Sequence, residues 1–337
     1  MPEFRAPGRV NLIGDHTDYN DGFVLPLAID LECVVRSRPR DDDMVEVKWL
    51  DGDHDSDRFA HGVVTALAER GRRPVGIDAE VRSTIPVGSG LSSSAALEVG
   101  LALALCDAAG LRLDPIDLAQ ACQEAEHIAS GVPCGIMDQL ASVAGREGCA
   151  LLIDCRSLEI EPIPIPDDLA VVVVHSGSPR ALAESAYADR RRACEEVAAR
   201  LGIRALRDAS PQQVADEPRA RHVVSENARV LAAADALRGG DVAALGVLLR
   251  ESHASLRDDF EVSTPELNLL VEALDRAGAI GARLTGAGFG GCVVALATRA
   301  AAPAVADRAA ADYRAQTGLM SVVHLCRAAA GASMTRR

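Results

Sequence analysis

A polar stretch close to the beginning of the chain, residues 5–20 (RAPGRVNLIGDHTDYN), constrains the fold and the function more than any other part of the sequence. A buried strand does not accommodate so many polar side chains, because each of them needs a hydrogen-bond partner. A solvated loop, in turn, does not normally carry Val10, Leu12 and Ile13. We therefore predict a short strand over residues 9–13, followed by a polar turn whose side chains converge on a ligand.

The side chains of this turn are of the kinds that bind hydroxyl groups. A carboxylate accepts hydrogen bonds from two hydroxyls, and an imidazole can donate or accept. Asp15 beside His16 therefore suits a sugar. The same residues also suit a turn that caps a helix through Asp15, Thr17 or Asp18. Local chemistry does not separate the two interpretations.

The composition excludes several classes of protein. With 337 residues the chain is long for a single core, so two domains are expected. A formal net charge of −14 argues against a nucleic-acid-binding protein, which usually presents a basic face. No apolar run approaches the roughly 18–20 residues of a membrane span, and no basic-then-apolar leader is expected. We expect small-molecule partners, no nucleic acid and no membrane, and a monomer.

Two further counts bear on location and chemistry. The nine cysteines include no C-x-x-C pair, so we expect neither a zinc site nor a disulfide framework, and we expect a cytoplasmic protein. Lys48 is the only lysine, and it does not lie in the Gly-Lys-Ser/Thr sequence that a P-loop requires. The His-Arg-Asp and Asp-Phe-Gly motifs of protein kinases are also absent. Any phosphate chemistry must therefore rely on backbone amides, arginine and a metal.

A second motif, residues 86–96 (PVGSGLSSSAA), has the order strand, glycine-rich loop, serine cluster and apolar helix. The free amides and the positive dipole end of such a helix point back at the loop. Glycines allow a close backbone approach, and the serine hydroxyls add donors and possible metal ligands, so the motif favours a phosphate site. The alternative is a serine that caps a buried helix after a flexible turn.

Two carboxylates further along the chain are candidates for chemistry. A helix is predicted from Asp114-Pro115 to Gly131, and Glu126 borders its apolar side. A carboxylate in that position needs either an arginine, which would be structural, or a metal ion. Asp138 lies among apolar residues at the predicted start of another helix, where an aspartate often serves as a cap or dipole partner.

The domain organisation is predicted from a proline-rich segment, residues 160–168, which we interpret as a linker. It divides the chain into residues 1–166 and residues 167–337. In the second part, the arginine run at residues 190–192 is interpreted as a solvated face that pairs with nearby glutamates. Glycines in residues 284–293 form either a tight β-turn or a third site of the phosphate type.

The three motifs, in this order, resemble the GHMP small-molecule kinases. Residues 8–19 (GRVNLIGDHTDY) closely resemble the signature of the galactokinases within that superfamily, and the resemblance extends over nearly the whole chain. It implies an α/β (α+β) fold, with an N-terminal domain similar to ribosomal protein S5 domain 2 and a C-terminal ferredoxin-like domain with added helices. It further implies that ATP and a sugar meet in the cleft between them.

The resemblance also implies a role for individual residues. The catalytic base facing the anomeric hydroxyl would be Asp138, with Arg9 beside it. The sugar contacts would be Asp15, His16, Asp18, Gly135 and Tyr187. The nucleotide phosphates would lie on Gly88, Gly90, Ser92 and Ser93. The Mg²⁺ ligands would be Ser94 and Glu126. An arginine close to a carboxylate favours its ionised form, which is the form that accepts a proton.

The reaction implied by the resemblance is the phosphorylation of galactose at C1 by ATP, which gives galactose 1-phosphate and ADP. The chain departs from the family pattern at Asp15, where a glutamate is usual, and at Ala287, where glycine is common. The shorter Asp15 leaves the identity of the sugar open, so one alternative is a related kinase for N-acetylgalactosamine or arabinose. The other alternative is a sugar sensor without catalytic activity, although the intact sequence Ser92-Ser93-Ser94-Ala95 and the presence of Asp138 favour an enzyme.

Overall fold

The computed structural model describes residues 1–51, 56–86, 88–178 and 183–335, and in them helices and strands are mixed along the chain. The strands are β1 (Glu3–Asn11), β2 (Phe23–Val24), β3 (Pro26–Pro39), β4 (Val45–Trp49), β5 (Ile77–Ser83), β6 (Cys149–Asp154), β7 (Ile160–Pro164), β8 (Leu169–His175), β9 (Gly281–Thr285), β10 (Cys292–Thr298), β11 (Val322–Cys326) and β12 (Ser333–Thr335). The α-helices are α1 (Asp57–Glu69), α2 (Ser93–Ala109), α3 (Pro115–Ser130), α4 (Met137–Ala144), α5 (Ala183–Leu201), α6 (Pro218–Gly239), α7 (Val242–Asp258), α8 (Pro265–Arg276) and α9 (Ala302–Thr317).

The first sheet has the strand order β12-β1-β3-β5-β4, and β4 and β5 are its one parallel pair among the described strands. Strand β1 is buried along nearly its whole length because it lies inside this sheet, and its pairing with β3 shifts register between Pro7 and Arg9. Helix α2 packs against β1 and β3 and is buried on almost every side, as its alanine, leucine and valine content predicts. This packing fixes the start of α2 beside the end of β1.

The second sheet has the order β11-β8-β10-β9 and is antiparallel. The valine run of β8 is buried on both faces, because alternate side chains point to opposite sides of a strand. Val171 and Val173 belong to the core shared with the first sheet, whereas Val172 and Val174 belong to a second core beneath α8 and α9. The sheet therefore lies between two apolar layers.

One prediction about the chain path is wrong. The proline-rich segment taken for a linker contains strand β7, which pairs antiparallel with β6 in a small sheet of order β2-β6-β7. Strand β7 tolerates Pro162 and Pro164 because it lies at the edge of that sheet, where one side of the backbone needs no ladder partner. The domain boundary after residue 166 stays a prediction, and β12 returns from the C-terminus to pair with β1.

The helix that carries Glu126 begins and ends as predicted. The Asp114 side chain accepts hydrogen bonds from the amides of Ile116 and Asp117, and Gly131 ends the helix in a left-handed conformation. Among the residues that the structure describes, no helix combines the length and the apolar character needed to cross a membrane.

Candidate active site

A cleft of about 500 Å³ collects residues from all three motifs of the sequence. One of its walls is the glycine- and serine-rich loop before α2, and another is the polar turn after β1. The start of α4 and the glycine loop after β9 complete it. Every predicted site residue lines this cleft: Arg9, Asp15, His16, Asp18, Gly88, Gly90, Ser92, Ser93, Ser94, Glu126, Gly135, Asp138 and Tyr187.

The centre of the cleft is an ion pair between Arg9 and Asp138. The Arg9 Nε lies 2.7 Å and its Nη2 lies 2.6 Å from the Asp138 carboxylate oxygens, so the arginine holds the carboxylate with two parallel bonds. Ser92 Oγ donates a third hydrogen bond, to Oδ2 of Asp138, over 2.5 Å. The Asp138 side chain is 31% exposed, whereas that of Arg9 is 6% exposed. A buried cation therefore fixes a carboxylate that remains accessible from the cleft.

The ion pair is also bound to the loop before α2. The third guanidinium nitrogen of Arg9, Nη1, donates to the carbonyl oxygen of Gly90 over 2.7 Å. The backbone amide of Arg9 donates to the carbonyl oxygen of Leu91 over 3.1 Å. Gly8 permits this approach, because a Cβ at its position would lie 2.7 Å from Leu91 O. Strand β1 therefore runs directly against the loop.

The loop itself has the backbone that a close approach to an anion requires. Gly88 (φ 72°) and Gly90 (φ 87°) adopt left-handed conformations that favour glycine. Ser93 and Ser94 begin α2 half-buried, and Ser92 precedes them without making a side-chain capping bond. The simple helix-cap interpretation of the serine cluster is therefore not supported. The N-terminal end of α2 therefore presents its backbone amides and serine hydroxyls to the cleft.

Among the residues that the structure describes, no arginine pairs with Glu126, and Arg70 binds Glu124 through hydrogen bonds of 2.6 and 2.8 Å. Burial raises the pKa of Glu126, and hydrogen bonds with the Ser94 and Glu98 side chains partly offset that effect. No group of three or more His, Cys, Asp or Glu side chains in the described part of the chain could hold a metal by itself. Ser94 and Glu126 nevertheless fit Mg²⁺, which commonly takes one carboxylate and completes its shell with water and phosphate oxygens.

Asp18 and Gly135 meet at the far end of the cleft. A Cβ at Gly135 would lie only 1.9 Å from Asp18 Oδ2, so the carboxylate occupies space that any other residue would fill. Burial, and next the charge of Asp138, raises the pKa of Asp18 to about 6. Tyr187 completes this end, with its ring centroid 5.5 Å from those of Tyr19 and His16. This end of the cleft therefore combines a carboxylate acceptor with a group of aromatic rings.

The polar groups of Asp15 already have protein partners. One carboxylate oxygen binds Arg283, and the other accepts from the amide of Gly286 over 3.0 Å. Burial raises the pKa of Asp15, although the charge of Arg283 opposes this. The Asp15 side chain therefore joins the polar turn to the glycine loop that follows β9.

His16 is bonded to the same glycine loop. Its ring lies with Nδ1 2.9 Å from the Tyr19 hydroxyl and Nε2 3.2 Å from Ala287 O. Burial lowers the pKa of His16 to about 3, so the imidazole is neutral. A carbonyl can only accept, so Nε2 carries the hydrogen and Nδ1 accepts from Tyr19.

Helix α6 holds the polar turn from behind. Glu226 Oε1 accepts from the Gly14 amide over 3.0 Å, and the ring nitrogen Nε2 of His222 lies 3.1 Å from Asp15 O. The only helical element in the turn is a short 3₁₀ segment, Asp18–Asn20, and its preceding residue Thr17 makes no side-chain capping bond. The capping interpretation of this motif is therefore not supported.

Several residues of the cleft were missed by the sequence analysis. Trp49, Arg58 and Phe59 also line it, and the guanidinium carbon of Arg58 lies 4.8 Å from the Phe59 ring centroid. They come from a strand end and a helix start, and nothing in their local sequence distinguishes them. Arg283 was also missed, although its sequence context could have revealed it. An arginine within the apolar strand β9 needs a buried hydrogen-bond partner.

Comparison with known families assigns most of the chain. Residues 3–39 match the galactokinase galactose-binding signature. Residues 58–146 match the GHMP kinases N terminal domain, and residues 233–315 match the GHMP kinases C terminal domain. The first match contains the polar turn, and the second contains the glycine- and serine-rich loop together with Glu126 and Asp138.

Individual relatives extend these matches to nearly full length. A galactokinase from Roseiflexus sp. (strain RS-1) is 48% identical over 97% of this chain and 91% of its own. The structure of a Lactococcus lactis galactokinase complexed with galactose superposes with a TM-score of 0.93, at 33% identity, over 98% of this chain and 94% of that one. A homoserine kinase from Cytophaga hutchinsonii shares the fold at 19% identity, with a TM-score of 0.69 over 99% and 97% of the two chains. The expected fold class is confirmed.

Proposed function

The chain belongs to the galactokinase family of the GHMP kinases, and on that premise we propose that it transfers the γ-phosphoryl group of ATP to the C1 hydroxyl of galactose. The products are galactose 1-phosphate and ADP. The observation that carries this function is the Arg9–Asp138 pair, which lies between a phosphate-type loop and a turn suited to a sugar.

Asp138 is the base in this proposal. Its carboxylate is fixed by Arg9 and remains partly exposed to the cleft, so it can accept the proton of a hydroxyl placed beside it. Arg9 also carries a positive charge next to the site of transfer, where negative charge must be stabilised. Phosphoryl transfer depends mainly on such positioning and charge stabilisation.

The nucleotide is assigned to the other side of the ion pair. The phosphates of ATP are bound by the loop through Gly88, Gly90, the Ser92 backbone and Ser93, at the positive end of α2. Trp49 and Phe59 form an apolar surface suited to its base. Ser94 and Glu126 would hold Mg²⁺, which would offset the charge of the phosphates.

The sugar is assigned to the end of the cleft that holds Asp18, Gly135 and Tyr187. Asp18 supplies the acceptor for its hydroxyls, and Gly135 leaves room for the Asp18 carboxylate. Asp15 and His16 line the same end, but their polar groups are already bonded to the glycine loop after β9. We therefore give them mainly the task of holding that loop, and only Asp15 keeps lone pairs that can accept from the sugar. A cytoplasmic location and a monomeric state stay predictions.

The test of this function is ADP release by the wild-type protein with Mg-ATP and a panel of free sugars. We expect galactose to be strongly preferred over glucose, because a site built for one hydroxyl arrangement leaves its own polar groups unpaired with the epimer. Phosphorus NMR of the product should give a 1-phosphate. A preference for N-acetylgalactosamine or arabinose would reassign the substrate, and galactose binding without ADP release would identify a sensor.

A further inference from the structure

The hydroxyl of Ser92 has an unusual partner for a residue that precedes a helix. A serine in this position normally accepts hydrogen bonds from amides of the first turn. The Ser92 side chain makes no such bond to α2, and its Oγ donates to Asp138 Oδ2 over 2.5 Å. That length is typical of a charge-assisted bond between a hydroxyl and a carboxylate. The side chain is therefore directed to the proposed base.

The backbone of Ser92 explains this direction. Its φ of 60° and ψ of 49° lie in the left-handed region, which is unfavourable for a residue with a Cβ. Such a conformation persists only where the surroundings impose it. Here the preceding residues Gly90 and Leu91 are bound to Arg9, so the loop cannot relax without disturbing the ion pair.

A hydroxyl has one hydrogen to donate. Phosphate oxygens and carboxylate oxygens are both acceptors, so Ser92 can donate to ATP or to Asp138, but not to both at once. In the structure, the hydrogen is committed to Asp138. The nucleotide contact predicted for this residue is consequently limited to its backbone.

The number of bonds at Asp138 gives the Ser92 hydroxyl a specific effect. A carboxylate offers about four acceptor positions. Two are taken by Arg9 Nε and Nη2 and a third by Ser92 Oγ, which leaves one position for a hydroxyl from the cleft. Ser92 thereby restricts the direction from which Asp138 can accept a proton.

We propose that Ser92 is a positioning residue of the transfer step, whose hydroxyl orients Asp138 and ties it to the phosphate-binding loop. The proposal rests on the proposed function, in which Asp138 is the base. This role differs from that of a phosphate ligand, because loss of the hydroxyl should lower kcat and leave the affinity for the nucleotide unchanged.

The experiment compares Ser92→Ala and Ser92→Gly with the wild type, in kinetics with galactose and in calorimetric titration with Mg-ADP. Both variants lack the hydroxyl, but only glycine adopts the left-handed backbone without strain. We expect kcat to fall roughly 10- to 100-fold in both, which corresponds to the loss of one hydrogen bond to a charged group. The dissociation constant for Mg-ADP should stay within about twofold of wild type, since the loop amides remain.

Ser89→Ala is the matched control, because Ser89 lies in the same loop and its hydroxyl donates to Pro86 O over 2.7 Å. Its kcat should stay near that of the wild type. A wild-type kcat in Ser92→Gly would overturn the proposal, as would a Mg-ADP affinity weakened tenfold or more with an unchanged kcat. A wild-type protein that releases no ADP with galactose would instead refute the proposed function.

Discussion

Replacing Gly135 by alanine tests the sugar end of the cleft, because the added methyl group collides with Asp18. A Cβ at this position lies 1.9 Å from Asp18 Oδ2 and 2.1 Å from its Cγ, whereas ordinary contact begins at 3.4 Å. The carboxylate must therefore retreat by about 1.5 Å, or the backbone that leads to Asp138 must shift. Either response moves a group that is proposed to touch the sugar.

The size of the effect follows from that displacement. A misplacement of about 1 Å can lower the rate roughly 100-fold, so kcat/KM for galactose should fall by at least that factor. The KM for ATP should change by less than about threefold, because the three atoms nearest to the new Cβ all belong to Asp18 and none to the glycine- and serine-rich loop. Coupled ADP-release kinetics with galactose and ATP varied separately measure both values.

Gly239→Ala is the control for the methyl group itself. Gly239 lies at the end of α6, and a Cβ there meets nothing within 4 Å. Alanine should leave the kinetics unchanged at this position and slightly favour the helix. A Gly135→Ala protein that melts like the wild type and keeps its kcat/KM for galactose would refute the placement of Asp18 at the sugar. Asp18→Asn repeats the test without a steric change if the alanine variant does not fold.

Four further predictions concern the carboxylates of the cleft. Asp138→Asn should lower kcat by ~100-fold or more while galactose and Mg-ADP still bind in calorimetry, and a near-normal kcat would remove Asp138 from the transfer step. Glu126→Gln should raise the Mg²⁺ concentration for half-maximal activity by about tenfold or more, whereas an unchanged requirement with a lower melting temperature would identify a structural carboxylate. Burial, assisted by the charge of Asp138, raises the pKa of Asp18 to about 6, so kcat/KM for galactose should fall about tenfold per pH unit below that value. Because this folded-state pKa exceeds the ordinary 3.8, protonation of Asp18 should also stabilise the fold as the pH falls from about 6 to 4, and thermal melts of Asp18→Asn should lack that contribution.

The sequence could predict the cleft because its chemistry lies in short, contiguous motifs. The order strand, glycine-rich loop and apolar helix around α2 follows from local patterns, and Asp114 and Gly131 mark the ends of α3. The link between Arg9 and Asp138 could not be predicted from local patterns, because the two residues are 129 positions apart in the sequence. It came from the resemblance to a family, and the geometry now gives it a physical basis.

Other features escaped because they depend on tertiary position. The prolines of β7 indicated a linker, since nothing in the sequence reveals that this strand lies at a sheet edge. The sequence does not distinguish the three consecutive serines at the start of α2. In the structure, the left-handed backbone of Ser92 directs its hydroxyl toward Asp138. Trp49 and Phe59 line the cleft from two different elements, and neither carries a local signature.

The buried charges behind the polar turn explain how a short loop can hold the groups of the proposed sugar site in place. Burial alone would raise the pKa of Glu226, but the charges of Arg229 and His222 lower it to about 2. The Glu226 carboxylate is therefore ionised while it accepts a hydrogen bond from the Gly14 amide. Arg283, fully buried, similarly binds Asp15 and the carbonyl oxygen of Leu12. Removing one partner of such a pair typically costs about 3–5 kcal/mol, although replacing the whole pair by apolar residues often costs nothing.

The stability of the fold alone therefore does not require the buried charged side chains of Glu226 and Arg283. Their bonds end on the backbone at Gly14 and Leu12 and on the carboxylate of Asp15, which are the points that set the path of the turn. Apolar packing could fill the same space, but it could not fix the direction of an amide or a carboxylate. The charged side chains of α6 and β9 thus hold the turn that directly follows strand β1. The proposed sugar end of the cleft and the Arg9–Asp138 pair are therefore positioned by one continuous stretch of the chain.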